Sequence, residues 1–324
     1  MASVDVVVPC YQYGRYLRSC VRSVLEQEVE GIRILIVDNA STDNSLEEAQ
    51  QLAAEERAVE VVAHKTNRGA HASFNEGIDW VQAEYFMILC ADDLLAPGAL
   101  LRAMSVMEGN ANTAFALGTD VEYREGFAFP VVGRTQAKWR IVNGMQFIEE
   151  CCRNPARYLA LGSILVRTQA QKKAGYYRKD LSFTDDFEMV LRLARLGCVA
   201  QSRAIQGIRR LHKENASKRQ IASRTHELVY REAAIESFFA HEGAAIPDAR
   251  RLRRLARRRL AERAYWWGMR EAMEGFGSAA FDLFKFAFRR SPAMVILPPV
   301  GHLIRNRLLT GNHDHAPEFS SGSS

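Results

Sequence analysis

No run of about 18 consecutive apolar residues occurs in the 324-residue sequence, so a membrane-spanning helix is not expected. Disulfide signals are missing as well. The six cysteines (Cys10, Cys20, Cys90, Cys151, Cys152 and Cys198) form no CxxC pair and show no disulfide-like spacing. Reduced thiols in a cytoplasmic protein are therefore expected. The opening MASVDVVVPC has neither the basic region nor the small-residue cleavage site of a signal peptide, which gives the same expectation. No internal repeat is visible, and no nucleic-acid-binding module accompanies the mild net charge of +5, so nucleic acid is not an expected partner. What is present is 48% hydrophobic and 25% charged residues with a mean hydropathy of −0.20. That suits one large domain, or a domain with an appendage.

The first half alternates strand and helix signals. VDVVVPC, IRILIVDN, VEVVAH and YFMILCADD read as four strands. Between them, YLRSCVRSVLEQ has helical spacing at Leu17, Val21, Val24 and Leu25. STDNSLEEAQQLAAEE opens with capping residues, and ASFNEGIDWVQ supplies a third helix. Short connections between alternating strands and helices imply an α/β fold with a doubly wound, mostly parallel sheet. Ligands bind such sheets at the carboxyl ends of the strands. Those ends hold Pro9-Cys10-Tyr11, Asp38-Asn39, His64 to Gly69, and Asp92-Asp93. From about Thr113 the pattern loosens. FALGTDVEYREG and LALGSILVR read as further strands, and SFTDDFEMVLRLARLG as a helix capped by Thr184, with Asp185 and Asp186 in its first turn and Gly197 at its end. Pro97 and Gly98 mark a turn into another helix.

The stretches VVVPCYQYGRYLRSCVRSVLEQ, ILIVDNASTDNS, NRGAHASFNEGI, CADDLLAPGAL, TDDFEMVLRLARLG and LHKENAS occur in this order. Over residues 3 to 217 the chain resembles the family 2 glycosyltransferases, nucleotide-sugar-dependent enzymes of the GT-A fold. The resemblance implies an inverting transfer of a sugar from a nucleotide diphosphate donor, UDP-linked by expectation, to an acceptor hydroxyl. The acceptor would be a glycan or lipid-linked molecule in polysaccharide or glycoconjugate synthesis. Two rival readings are a sugar-1-phosphate nucleotidyltransferase and a non-catalytic nucleotide-sugar or membrane-binding protein. PCYQYGRYL is a poor match to the Gly-rich triphosphate loop that the first rival needs.

Each singled-out residue also has a plain structural reading. Asp92 and Asp93 could cap the helix that follows, where negative charge is favourable. Alternatively, they bind Mn²⁺ or Mg²⁺, hard cations that keep part of their shell for phosphate. The resemblance makes Asp93 the metal ligand and places Asp92 nearer the ribose, with Cys90 and Ala91 where an extra acid is common. Asp38 is either a turn former or the acceptor for the N–H of a base, with Pro9 and Tyr11 supplying a flat apolar surface. Asn67, Arg68 and Gly69 form either an ordinary loop or part of a nucleotide cleft. Asp185 and Asp186 are explained by helix stability alone. The resemblance assigns the catalytic base to Asp186, with Asp185 supporting, and an inverting transfer needs one such base. His212 would be an ordinary surface or core histidine, or, by resemblance, complete the metal shell or contact diphosphate. Arg209, Arg210, Lys213 and Lys218 would hold phosphate in a segment that closes over the donor.

After about residue 219 the chain reads as helical and arginine-rich to roughly residue 290. RRLRRLARRRLAERAYWW places Leu252, Leu255, Ala256 and Leu260 on one face. It is either a solvated surface helix or a surface for anionic lipid, which would put the protein peripherally on the inner face of the membrane. The expected division is a catalytic domain over 1–218, a helical region over 219–312, and a tail over 313–324 that is disordered or a cloning remnant.

Overall fold

The computed structural model describes residues 3–133, 137–181, 183–215 and 223–301. Lys218 and the 313–324 tail lie outside the described residues. Four strands, β1 (Val4–Cys10), β2 (Ile32–Asp38), β3 (Val59–Ala63) and β4 (Tyr85–Ile88), form the predicted parallel set, in the order β3-β2-β1-β4. Helices α1 (Gly14–Leu25), α2 (Ser45–Glu55) and α3 (Ala70–Trp80) connect them. The near-continuous apolar runs of β1 and β2 match strands covered on both faces, and Val4, Val6, Val8, Ile34 and Ile36 are fully buried. Asp5 is buried among them. It receives two bonds from Arg33, at 2.9 and 2.7 Å, and the N–H groups of Gln82 and Ala83, so its charge is fully partnered.

The second half of the sheet is mixed. β4 continues through β8 (Ile164–Arg167), which is antiparallel both to β4 and to β6 (Thr113–Arg124). β6 then pairs in parallel with β9 (Cys198–Leu211), a 14-residue strand. Two short strands add antiparallel to β9: β5 (Leu94–Leu95) and β7 (Trp139–Val142). The described helices here are α4 (Ala99–Glu108), α5 (Gly144–Arg153), α6 (Thr168–Ala174) and α7 (Asp185–Ala194). Gly98 precedes α4 with φ 70°, as its turn position predicts.

Several local expectations change. The fourth strand stops at Ile88 instead of reaching Asp93, because the chain must reverse for Leu94 and Leu95 to pair with Ile208 and Gly207. Asp92 and Asp93 sit in that reversal, where the Asp93 N–H donates to the Cys90 carbonyl. LALGSILVR is a strand only from Ile164, since Leu161–Ser163 forms a 3₁₀ turn. Thr184 occupies the N-cap of α7 without a side-chain capping bond, and the helix ends at Ala194, before Gly197. Gly197 is required instead by close approach, since a Cβ there would lie 2.4 Å from the Asn112 carbonyl oxygen. Arg209 and Arg210 belong to strand β9, not to a loose segment.

Gly144, at the start of α5, is tighter still. A Cβ would meet the Ala194 carbonyl oxygen at 1.6 Å and that of Gly197 at 2.6 Å, both of them backbone. Gly144→Ala is therefore expected to cost about 3 kcal/mol of stability, because no flexible side chain can yield. Denaturant unfolding of the two proteins measures it.

Two compact units are distinguishable. One comprises residues 1–150 and 159–220 and contains the sheet; the other comprises residues 151–158 and those from 221 onward. The second contains α8 (Arg224–Ala240), α9 (Ala249–Met273) and α10 (Gly277–Arg290). Leu252, Ala256 and Leu260 of α9 are buried, as their spacing predicts.

Candidate active site

The carboxyl ends of β1 and β2 lie side by side, with Pro9 opposite Val37 and Cys10 opposite Asp38. Pro9 is half-buried and Tyr11, just beyond, is exposed. Asp38 is buried. Its Oδ2 accepts the Ser41 N–H at 3.1 Å, whereas its Oδ1 has no partner among the described residues. A buried carboxylate oxygen without a donor is costly, and it suits a site that awaits one from a ligand. Asn39, the next residue, is the organiser of this rim. Its Oδ1 accepts the Arg68 N–H at 2.8 Å and lies 2.8 Å from His64 Nδ1, and its Nδ2 donates to Asn67 Oδ1 at 3.0 Å. Asn67 Oδ1 also accepts the Gly69 N–H, and Gly69 has φ 82° at the N-cap of α3. His64 Nε2 lies 2.6 Å from Glu76, toward which Arg68 also points at 3.6 Å.

Asp92 and Asp93 meet the end of β9. The Arg210 N–H donates to Asp93 Oδ1 at 2.9 Å, and the Arg210 guanidinium donates to the Asp92 carbonyl at 3.1 Å. The same guanidinium lies 4.8 Å from the Tyr16 ring centre and 5.4 Å from that of Tyr123. Asp92 Oδ2 accepts from Asn215 Nδ2 at 3.0 Å and lies 3.1 Å from His212 Nε2. Because His212 Nδ1 accepts the Glu214 N–H, its proton sits on Nε2 and is donated to Asp92. His212 thus reaches the acidic pair as a hydrogen-bond partner, packed 4.8 Å from Tyr16. Burial and the neighbouring Asp92 push the Asp93 carboxyl well above the usual range. A cation beside the pair would favour the charged form of both. Cys90, Asp92 and Asp93 place one ligand atom each within 4.8 Å of one another. The carboxylate oxygens suit Mg²⁺ or Mn²⁺; a thiol is a softer donor.

The second acidic pair opens α7. Asp185 is buried, with its Oδ2 3.2 Å from His71 Nε2 in the first turn of α3. Asp186 is only half-buried, and its Oδ1 accepts the Phe187 N–H at 2.6 Å. Cys90 lies electrically between the pairs. Burial first, then Asp93, Asp92, Cys20 and Asp185, hold its thiol well above its ordinary range. The structure therefore gathers three groups of predicted residues: Asp38 with Asn67, Arg68 and Gly69; Asp92 and Asp93 with Arg210 and His212; and Asp185 with Asp186.

The glycosyl transferase family 2 model matches residues 5–164. This chain belongs to glycosyl transferase family 2. The chain is 22% identical over 200 residues to an uncharacterized glycosyltransferase of Haemophilus influenzae, across 61% of this chain and 62% of that protein. It is 37% identical over 92 residues to the glycosyltransferase GlyG of Streptococcus pneumoniae, across 28% and 31% respectively. The matches thus span less than two thirds of either relative. Among solved structures, S. aureus TarS residues 1–349 with UDP-GlcNAc align with a TM-score of 0.58 at 13% identity, over 90% of this chain and 91% of that one. The mannosyltransferase PcManGT from Pyrobaculum calidifontis, with GDP-Man and Mn²⁺, aligns with a TM-score of 0.58 at 14% identity, over 97% and 81%. The architecture is the GT-A fold with added C-terminal helices. No described helix is long and apolar enough to cross a membrane.

Sequence reading gave no role to three residues that organise this site: Asn39, Asn215 and His71. Asn39 and Asn215 stand directly in quoted stretches, but nothing in a sequence shows that one amide serves several partners. His71 lies between Gly69 and the apolar positions of α3, and only the fold brings it to Asp185. The hydrogen bond to Asp185 raises the His71 pKa above its ordinary 6.5. Protonated His71 therefore stabilises the fold. The contribution is complete below about pH 6.5 and is lost as pH rises through the raised folded value. The stability gap between wild type and His71→Asn should be widest at low pH and should close above that value, as urea titrations across pH would show.

Proposed function

We propose that this glycosyltransferase moves a sugar from a nucleoside diphosphate donor, UDP-linked, to an acceptor hydroxyl with inversion at the anomeric carbon. The observation that carries this reading is the contrast between two acids. Both are half-buried, but Asp93 is held by the Arg210 N–H beside Asp92, with its carboxyl pushed up by desolvation and by Asp92, whereas Asp186 opens α7 with its Oδ1 on the Phe187 N–H. One environment suits a cation and the other suits a base.

Asp38 Oδ1 would accept the N–H of a uracil, with Pro9 and Tyr11 against its face. Asn67, Arg68 and Gly69, braced by Asn39, would close the base side of the cleft, and Asp92 would face the ribose. Asp93 would hold Mn²⁺ or Mg²⁺; His212 would join it on release from Asp92, or contact the diphosphate. The cation, when bound, supplies positive charge for the departing diphosphate. Arg210, fixed between Tyr16 and Tyr123, would add a second positive charge there. Asp186 would take the acceptor's proton as its oxygen attacks from the opposite face of the sugar. Asp185, occupied by His71, would hold the start of α7 in place. The acceptor class fitting this reading is a glycan or lipid-linked molecule in polysaccharide or glycoconjugate assembly.

Thermal unfolding with a panel of nucleotides and Mn²⁺ tests the donor assignment. UDP should raise the midpoint more than GDP or CMP, because ligand bound only to the folded state adds stability. Equal responses to all three would remove the uridine assignment.

A further inference from the structure

Helix α9 opens with a dense run of arginines. Its first three turns, residues 249–260, contain seven arginines and no acid. Its first turn carries no acidic residue; the dipole is met by Asp248 at the N-cap, which also pairs with Arg251 at 3.3 Å. Arg250 lies three and four residues before Arg253 and Arg254, and Arg257 four and three after them, and the four line one open groove. Like charges at this spacing repel. Part of the charge is met within the same unit, where Arg253 pairs with Glu236 and Arg257 approaches Glu232 and Glu236. Arg250 and Arg254 have no acid within ion-pair distance among the described residues. Among the described residues, the Arg254 guanidinium donates to the Arg250 carbonyl alone.

After α10 comes a second surface of different character, linked to the groove through Arg253 and Arg257. Arg253 and Arg257 share a shallow depression with Arg290, the last residue of α10. The chain leaves Arg290 into Pro292–Val295 and presents Val295 (65% exposed), Ile296 (82%), Leu297 (72%) and Val300 (61%) to solvent. Met294 is buried beneath them, and the Trp266 indole donates to the Pro299 carbonyl at 3.2 Å, so the segment is held against α9 with its aliphatic side chains outward. A groove in which Arg250 and Arg254 meet no acid among the described residues, together with a fixed strip of exposed aliphatics, is costly for a free surface.

We propose that this face docks on an anionic lipid bilayer, the Arg250–Arg254 groove contacting headgroup phosphates and the Val295–Val300 strip entering the headgroup boundary. Charge complementarity sets the partner, because the groove has excess positive charge and the strip needs an apolar phase. A folded anionic protein or a nucleic acid would satisfy the first need alone. The inference does not rest on the catalytic reading.

Flotation of the full chain with lipid vesicles, without nucleotide, tests it. Vesicles of about three parts phosphatidylcholine to one part phosphatidylglycerol should carry the protein upward, and pure phosphatidylcholine should not. Arg250→Gln with Arg254→Gln should weaken partitioning about 25-fold, at about five-fold per arginine near an anionic surface. Ile296→Ser with Leu297→Ser changes only exposed side chains and should weaken it separately, with the unfolding midpoint unchanged. Equal recovery with neutral and anionic vesicles would overturn the proposal, as would unaltered flotation of the arginine pair variant. Retention on an RNA column with no flotation would overturn it as well, assigning the groove to a soluble polyanion.

Discussion

Asp186→Asn should lower sugar transfer by about 10²- to 10⁴-fold, the range a positioned general base contributes, while leaving donor binding unchanged. The amide preserves size and the Oδ1 that accepts the Phe187 N–H, but it cannot take a proton. Removing one negative charge from the first turn of α7 costs about 0.3–1 kcal/mol of helix stabilisation, too little to unfold the chain. The fall should therefore sit in kcat, with UDP still raising the unfolding midpoint. Asp185→Asn separates the two acids. It disturbs the contact with His71 and should alter stability and its pH dependence more than turnover. Full activity in Asp186→Asn would move the base elsewhere, with Asp185 the first alternative.

Asp93→Asn should abolish the stabilisation that UDP gives in the presence of Mn²⁺. At nucleotide about 100-fold above its Kd that stabilisation is about 2.7 kcal/mol. Chelation with EDTA should remove the same increment from wild type and change the variant little. Without nucleotide the direction reverses. Asp92 and Asp93 are two like charges in one turn, and taking one away relieves their repulsion, while the retained oxygen can still accept the Arg210 N–H. The free variant should thus be as stable as wild type or more so. Better stability with lost ligand response is the signature of an acid kept for binding. Undiminished UDP stabilisation in both Asp93→Asn and EDTA would exclude the metal role.

The parts of this fold that can be read from sequence are those with one strong period. β1, β2 and β3 are near-continuous apolar runs separated by helices with clear spacing, and their strand ends place Pro9, Tyr11 and Asp38 at one rim. β9 was hidden because its buried positions include Gln201 and Gln206, and because Arg209 and Arg210 look like surface charge. Arg209 is in fact paired with Asp120 and Glu122 on β6. The turn holding Asp92 and Asp93 was hidden for a related reason. Leu94 and Leu95 are only two residues, and their partners lie more than a hundred positions away. Acids at 92, 93, 185 and 186 can be found in a sequence; which of them is buried, and which has a histidine against it, cannot.

The bond between the Arg210 N–H and Asp93, and those from His212 and Asn215 to Asp92, close loops of 117 to 123 residues. Contacts of that range form slowly, because their closure entropy must be met before they reward it. During synthesis, a chain that has reached only residue 164, where the family match ends, already has the parallel strands and the acids. It does not yet have β9, His212 or Asn215. The acidic turn then lacks its bonds from Arg210, His212 and Asn215. The site becomes a site only when β9 inserts between β6 and β5, so its maturation is coupled to the final step of sheet closure.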